Sequence, residues 1–358
     1  MILIKNFFIN SPSFYILKIK GGFINKMYVK TKYFIKNNGK LLIFLVFIQL
    51  FFTLPLNFYV DKPGGITDIS SKIEIKGKKE EEGSLNFAYV LEMRGTPFNY
   101  IIAKINKDYK IIKKTDIIYD NETIKDMNFR DHLLLEEAND NAIIVAFKNA
   151  NKKLQIEEEK IFVTYIDGEA ETDLKVEDQI IKINGIKIEE KNNIYEIINS
   201  LKEKDILNIK VKNKKKDYNR YAVIKKEKNK NVIGIMISTD KTIKSNPAVK
   251  IKKKKSESGP SGGLMMSLSV YNAISKEDIT KGLKIVGTGT IDEDGNVGTI
   301  GGVEFKLKSA VKEKADIFLV PAGLNYKDAI KLKEQRKYDI EIKSISTFKE
   351  ALTFLKSK

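Results

Sequence analysis

Ser258-Gly259-Pro260-Ser261-Gly262-Gly263, followed by the apolar run Leu264-Met265-Met266-Ser267-Leu268-Ser269-Val270-Tyr271, decides how this chain is read. Glycine and proline around the serine force a tight turn, and the apolar run has helical character. Ser261 therefore falls at or just before a helix start, where backbone N–H groups have no intrahelical partner and point outward. A hydroxyl there could attack a carbonyl while those N–H groups stabilise the developing oxyanion, at about 3 kcal/mol per donor. The same pattern suits an ordinary N-cap serine after a turn, so the turn alone leaves both readings open.

A nucleophilic serine needs a base, and the composition narrows the choice. The chain has no cysteine and one histidine, His132, which excludes thiol chemistry, disulfides and any site needing two imidazoles. His132 itself reads as a helix-end residue beside Leu133 to Ala150, where apolar residues recur at helical spacing. Lysine remains as the base. Gly301-Gly302-Val303-Glu304-Phe305-Lys306-Leu307-Lys308-Ser309-Ala310-Val311 starts a helix after a double-glycine turn. Val303, Leu307, Ala310 and Val311 form its apolar stripe, Lys306 lies on the edge of that stripe, and Lys308 and Lys312 fall on the opposite face. Lys306 is thus the lysine of this helix placed for half-burial beside a site, where desolvation favours the neutral amine that can accept a hydroxyl proton.

Between the two motifs runs Ile285-Val286-Gly287-Thr288-Gly289-Thr290-Ile291, then the polar turn Asp292 to Gly298. The turn fails as an EF-hand, because its sixth position is Val297 and its twelfth is Val303, and it reads as a hairpin tip. No Gly-x-x-x-x-Gly-Lys-Ser/Thr loop occurs, so nucleotide hydrolysis by this chain has no support. No cofactor and no metal site is expected.

Lys160 to Lys226 forms a unit of its own. Strand-like Ile161 to Ile166 leads to Asp178-Gln179-Ile180-Ile181-Lys182-Ile183-Asn184-Gly185, where Asn-Gly signals a hairpin. An amphipathic helix around Ile194, Ile197, Ile198 and Leu201 and strands at Ile206 to Val211 and Tyr221 to Ile224 follow. The string resembles the Gly-Asp-x-Ile-x-x-Val-Asn-Gly of PDZ domains, with Glu177 in place of the glycine. The expected carboxylate-binding loop ahead of the first strand reads Glu157-Glu158-Glu159-Lys160, and an acidic loop would repel a peptide C-terminus.

The N-terminal residues 1–40 hold eight lysines and no acid, and 41–60 are apolar with Gln49, Thr53 and Asn57 as polar breaks. That length suits a membrane-spanning helix. An uncleaved anchor is favoured over a cleaved leader, since no Ala-x-Ala site follows. The lysine excess places the N-terminus in the cytoplasm and the rest outside; Met27 is an alternative start. Residues 61–150 are mixed, with a Pro63-Gly64-Gly65 turn, a charged run Lys78 to Glu82 and strand-like Leu85 to Lys104. The net charge of +17 comes from 64 basic residues of which all but four are lysine. Nucleic-acid recognition favours the arginine fork, so no nucleic-acid partner is expected.

Gly259-Pro260-Ser261, Gly287-Thr288-Gly289, Gly295-x-Val297 and Gly301-Gly302-x-x-x-Lys306 occur in the order and spacing of the Lon protease domain, which they resemble. With the anchor and the PDZ-like unit, the chain looks like the ATP-independent, PDZ-containing Lon-like proteases of Gram-positive surfaces. Phe58 to Gly65 and Asp140-Asn141-Ala142-Ile143 share that likeness. The resemblance implies Ser261 as nucleophile, Lys306 as base, Thr288 as the hydroxyl holding the amine, and Gly259, Pro260 and Gly262 as supports. Gly262 stands where alanine is commoner, and Ser258 replaces an acid found in ATP-dependent relatives. The expected architecture is α+β: a basic leader (1–40), a transmembrane helix (41–60), an α+β segment that could join the protease domain (61–150), a PDZ-like unit (151–230) and a Lon-type domain with a ribosomal-protein-like α+β fold (231–358). The expected function is a membrane-anchored extracytoplasmic serine endopeptidase acting on secreted peptides or membrane-protein segments. The alternative is a catalytically inactive PDZ-like scaffold or peptide-binding protein at the cell surface. Oligomeric state is not legible.

Overall fold

A computed structural model describes residues 12–75 and 81–358, with side chains from residue 26 onward. The first eleven residues of the basic leader, and most of the charged run Lys78 to Glu82, lie outside the described residues.

In chain order the elements are α1 (Pro12–Thr53), β1 (Phe58–Asp68), β2 (Ile73–Ile75), β3 (Ser84–Arg94), α2 (Pro97–Ile105), β4 (Lys110–Lys113) and α3 (Ile124–Asn149). The middle of the chain forms β5 (Leu154–Ile166), β6 (Gln179–Ile183), β7 (Ile186–Lys187), α4 (Lys191–Ser200), β8 (Ile206–Asn213), β9 (Lys216–Val223), β10 (Lys225–Glu227), β11 (Lys230–Val232) and β12 (Ile235–Ser245). The last part holds β13 (Val249–Ile251), α5 (Gly263–Ile274), β14 (Lys284–Gly287), β15 (Thr290–Ile291), β16 (Val297–Gly298), α6 (Val303–Lys312), β17 (Ile317–Pro321), α7 (Leu324–Arg336), β18 (Glu341–Ile345) and α8 (Phe348–Lys356).

Two sheets organise these elements into a mixed α+β fold. The first has six strands in the order β18-β17-β14-β3-β1-β4. Its β18, β17, β14 and β3 run parallel, and β1 is antiparallel to both β3 and β4. Strands from 58–113 therefore complete the sheet begun by 284–345. Parallel strands must be covered on both faces, and the sequence of β17 shows how: Ile317 and Leu319 face one core with Phe147, Leu264 and Phe348, while Phe318 and Val320 face another with Leu307 and Ala329. Period-two alternation thus delivers apolar side chains to α3, α5 and α8 on one side and to α6 and α7 on the other.

The second sheet runs β12-β5-β6-β8-β9 with β7 beside β6, and closes over α4 through Ile161, Ile183, Ile194 and Leu207. The Asn184-Gly185 turn joins β6 to β7 with φ 49° and 82°, the left-handed pair that a two-residue hairpin needs. Because β12 belongs to this sheet, the unit extends past residue 230. The acidic run Glu157-Glu158-Glu159-Lys160 lies inside β5, paired with Asp240 to Thr242 of β12. It is a strand, not a carboxylate-binding loop.

Three other expectations are corrected. The apolar helix ends at Thr53, and Phe58 to Val60 belong to β1, where Val60 is fully buried. Among the described residues the helix long and apolar enough to cross a membrane is Lys26–Thr53, so 54–60 fall outside it. Leu85 to Lys104 is strand only to Arg94. Thr96 then caps α2 by accepting from the Asn99 N–H, with Pro97 in the first turn, and this N-terminal signal overrides the β-propensity of Phe98, Tyr100, Ile101 and Ile102. His132 sits within α3, not at its end, because a Thr123/Asp126 capping box starts that helix at Ile124. The imidazole is exposed and faces Glu136 at 3.4 Å.

Candidate active site

The C-terminal end of β14 and the starts of α5 and α6 meet at one point. The Ser261 carbonyl accepts from the Gly289 N–H at 2.9 Å, and the Gly289 carbonyl accepts from the Leu264 N–H at 3.0 Å. These reciprocal bonds stitch the serine turn to the end of β14. Thr288, fully buried, donates its hydroxyl to the same Ser261 carbonyl at 3.0 Å and its N–H to Leu319 at 3.0 Å. Upstream, the Gly259 N–H donates to the Asp131 carbonyl at 2.9 Å and the Gly263 N–H to Pro260 at 3.1 Å. The turn is therefore held from α3, from β14 and from within.

Gly302 adopts φ 65° ahead of α6, and a Cβ there would come within 2.7 Å of Val90 Cγ2. Only glycine lets α6 start at this angle against β3. One turn in, Lys306 is 2 % exposed and its Nζ donates to Thr288 Oγ1 at 3.0 Å. Among the described residues it has no carboxylate partner. Burial accordingly pushes its pKa down to about 8, because an ammonium loses hydration there without a compensating charge. The lysine is more deeply buried than helix phase suggests, since α6 is covered on nearly all sides.

The chain Lys306 N–H to Thr288 Oγ1, Thr288 O–H to the Ser261 carbonyl, has a direction. The threonine proton is committed to the carbonyl, so Thr288 acts toward the amine only as an acceptor. A neutral Lys306 then keeps its lone pair available. Ser261 is half-buried, and among the described residues its hydroxyl has no hydrogen-bond partner. It lines a groove of about 290 Å³ with Phe87, Tyr89, Met266, Lys72 and Glu257. Thr288 and Lys306 do not line that groove.

Two further groove residues are not singled out by the sequence patterns above. Lys72, 6 % exposed, holds both carboxylate oxygens of Glu257 at 2.6 Å and lies 5.8 Å over the Phe87 ring. The pair ties the Ser261 loop to the segment after β1. Glu257 could be suspected from its place in the Ser261 turn; Lys72 carries no local signal. Among the described residues no group of three or more His, Asp or Glu side chains is placed to hold a metal ion.

A second groove, about 440 Å³, runs between α4 (Ile194, Ile198) and β12 (Ile235, Ile237), with the Ile233-Gly234 turn at one end. β12 is an edge strand here. Lys241 of β12, buried, ties the second sheet to α3 and to the turn between β15 and β16: its amine meets Glu293 of that turn at 2.8 Å and Glu159 of β5 at 3.5 Å, and its backbone N–H donates to Asp140 of α3 at 2.9 Å.

Residues 222–356 match the Lon protease (S16) C-terminal proteolytic domain. The Lon protease of Neorickettsia sennetsu (strain ATCC VR-367 / Miyayama) is 33% identical over 99 residues, which are 28% of this chain and 12% of that protein. The chain thus spans a small part of that relative. Among solved structures, the PDZ domain of an SdrC-like protein from Listeria monocytogenes is 21% identical with a TM-score of 0.20, covering 22% of this chain and 85% of that one. The second domain of another Listeria protein has the same identity, a TM-score of 0.19 and coverage of 22% and 82%. Likeness of that degree says nothing of function. The segment that brings Ser261, Thr288 and Lys306 together is therefore similar to the proteolytic domain of Lon proteases.

Proposed function

We propose that this chain is a serine endopeptidase working through a Ser261/Lys306 dyad, anchored by α1 and acting outside the membrane on peptides or membrane-protein segments. The single observation that carries the dyad is the buried Lys306 amine, hydrogen-bonded to Thr288 one hydroxyl away from the Ser261 peptide unit and depressed to about 8 by desolvation. Similarity to the Lon proteolytic domain supports peptide hydrolysis as the reaction.

The neutral amine takes the Ser261 proton as Oγ attacks the scissile carbonyl carbon. The N–H groups of Gly259, Gly263 and Leu264 are held by carbonyls of the fold, which leaves those of Ser261 and Gly262 to bear the oxyanion. Collapse of the tetrahedral intermediate breaks the C–N bond, the ammonium returns its proton to the leaving amine, and an ester to Ser261 remains. Water then attacks the ester, Lys306 again taking and returning the proton. With a pKa of about 8 roughly one amine in ten is neutral at pH 7, against roughly three in ten thousand at 10.5. Burial therefore raises the reactive fraction about 300-fold.

Thr288 holds the amine; Gly259, Pro260 and Gly262 shape the turn. Hydrolysis by this chain alone needs no ATP. Orientation with the N-terminus in the cytoplasm follows from the lysine-rich leader. Lys306→Ala should abolish cleavage of a casein-type substrate with the circular dichroism spectrum unchanged; full hydrolysis by that variant contradicts the dyad. The groove between α4 and β12, open along an edge strand, favours a second reading in which the chain binds peptides without cleaving them. An unmodified Ser261 after treatment with a fluorophosphonate, together with retained peptide binding, would support it.

A further inference from the structure

Among the described residues α2 is the helix of the folded part that buries no side chain, and its position explains what covers it. At about 100° per residue Phe98, Ile101, Ile102 and Ile105 share one arc. Ile101 and Ile105 are 46% and 78% exposed, and Tyr100, outside that arc, is 45% exposed. Exposed apolar side chains scattered singly need no explanation, but these sit together on one short helix.

Phe98 of that arc packs on the end of α1, 4.6 Å from Phe52 and 6.0 Å from Phe51 between ring centroids. Tyr100 meets Phe58 at 5.8 Å, and Leu54 and Leu56 between α1 and β1 are exposed as well. The apolar surface is thus continuous from the helix Lys26–Thr53, none of whose apolar window is buried, onto α2, with an aromatic cluster at the junction. Aromatic rings of this kind belong at the boundary between acyl chains and headgroups.

Charge points the same way. From Arg94 to Lys114 there are six basic residues and one acid, Asp108. Asp108 is already held by Lys308 at 3.0 Å and Arg336 at 3.3 Å. Lys104, Lys107, Lys113 and Lys114 are exposed. An exposed apolar arc beside exposed lysines is the composition of a helix that lies in a bilayer interface, where apolar insertion and attraction to anionic lipid act together.

We propose that α2 is a second membrane contact: an interfacial helix lying in the headgroup region of the bilayer that α1 crosses, with Ile101 and Ile105 inserted and the neighbouring lysines at anionic phospholipid headgroups. The proposal rests on the reading of α1 as a membrane span. Two attachments, one crossing and one lying flat, fix the tilt of the six-stranded sheet, because α2 joins β3 to β4 of that sheet. The Ser261 groove, lined by Phe87 and Tyr89 of β3, is then held at a set orientation to the membrane surface.

The chain contains no tryptophan, so single tryptophans report depth without background. The full chain is reconstituted into vesicles of equimolar phosphatidylcholine and phosphatidylglycerol carrying brominated phosphatidylcholine. Three variants are compared: Leu45→Trp in α1, Ile105→Trp in α2, and Tyr218→Trp in the exposed part of β9. The expected result is that Leu45→Trp is quenched most by bromines deep in the acyl chains, Ile105→Trp loses the greater part of its emission to bromines near the headgroups, and Tyr218→Trp is unaffected. If Leu45→Trp is quenched and Ile105→Trp emits as a water-exposed indole, the interfacial helix is wrong and the span stands. Blue-shifted but unquenched emission from Ile105→Trp overturns it in favour of a protein partner, such as a second copy. Failure to quench Leu45→Trp removes the span and the proposal together.

Discussion

Replacing Thr288 by valine keeps shape and burial but removes the acceptor of the Lys306 amine, and its effect on the pH profile has an unusual sign. A hydrogen bond to a charged group contributes about 1.5–3 kcal/mol, and it favours the ammonium over the neutral amine. Its loss should lower the lysine pKa further, by about 1–2 units at about 1.4 kcal/mol per unit. The acidic limb of kcat/KM, expected near 8 in the parent from the desolvated amine, should therefore move to about 6–7 in Thr288→Val. The plateau should fall at the same time, by about 10- to 100-fold, because the proposed base loses the hydroxyl that holds it. A fluorogenic peptide assayed from about pH 5 to about pH 10 separates the two effects. Thr288→Ser, which keeps the hydroxyl, should restore both limb and plateau. A limb that stays put, or moves up toward 10.5, would refute the view that Thr288 stabilises the ammonium and that desolvation sets its pKa.

Other consequences follow from the same contacts. Lys306→Met should stabilise the fold at neutral pH: the lysine pKa falls from 10.5 unfolded to about 8 folded, so charging it costs about 3 kcal/mol below pH 8, a cost that disappears as pH rises to 10.5. Denaturant titrations of parent and variant should show the gap at pH 7 and its narrowing by about pH 10. Lys241→Met removes the amine that neutralises Glu159 of β5 and Glu293 of the turn between β15 and β16; Glu293 is partly exposed and only Glu159 is left largely buried, so the variant should cost about 1–3 kcal/mol, read as a lowered thermal midpoint. Gly302→Ala must adopt φ 65° and displace Val90; it should destabilise by about 1–2 kcal/mol and lower kcat more than KM, since α6 carries Lys306. For Asp140, pushed up to about 7 by burial, folding costs the charged form above that pH and costs nothing below the unfolded value. Asp140→Asn, which keeps an acceptor for the Lys241 N–H, should therefore raise the thermal midpoint at pH 8, with the gain shrinking as pH falls below about 7 and gone below 3.8.

What the sequence reveals is local. The turn around Ser261, the phase of α6 and the Asn184-Gly185 hairpin each depend on neighbouring residues whose chemistry has one good backbone solution. What it hides is either non-local or a contest between two local signals. The pairing of β14 with β3 joins segments about 200 residues apart, so the place of 58–113 in the first sheet is compatible with the strand pattern without following from it. The same holds for Lys72 beside Glu257 and for Lys241 beside Glu159 and Glu293, lysines among many until folding gives each an acid. At α2 the aromatic and β-branched side chains argue for strand while Thr96-Pro97 argues for a helix start, and the cap prevails. The acidic run before Ile161 reads as a loop because a PDZ-like pattern puts a glycine turn there; β12, arriving from the far side of the unit, pairs with it instead. Resemblance alone names Thr288 as the holder of the amine, and its second bond, to the Ser261 carbonyl, has no sequence signal.

The dyad is tested most directly by labelling with a fluorophosphonate followed by intact mass and peptide mapping, on the parent and on Lys306→Met. The account predicts one adduct per chain on Ser261, formed faster as pH rises through about 8, and no adduct in the lysine variant. An adduct on another residue, or equal labelling of Ser261 without Lys306, would contradict it.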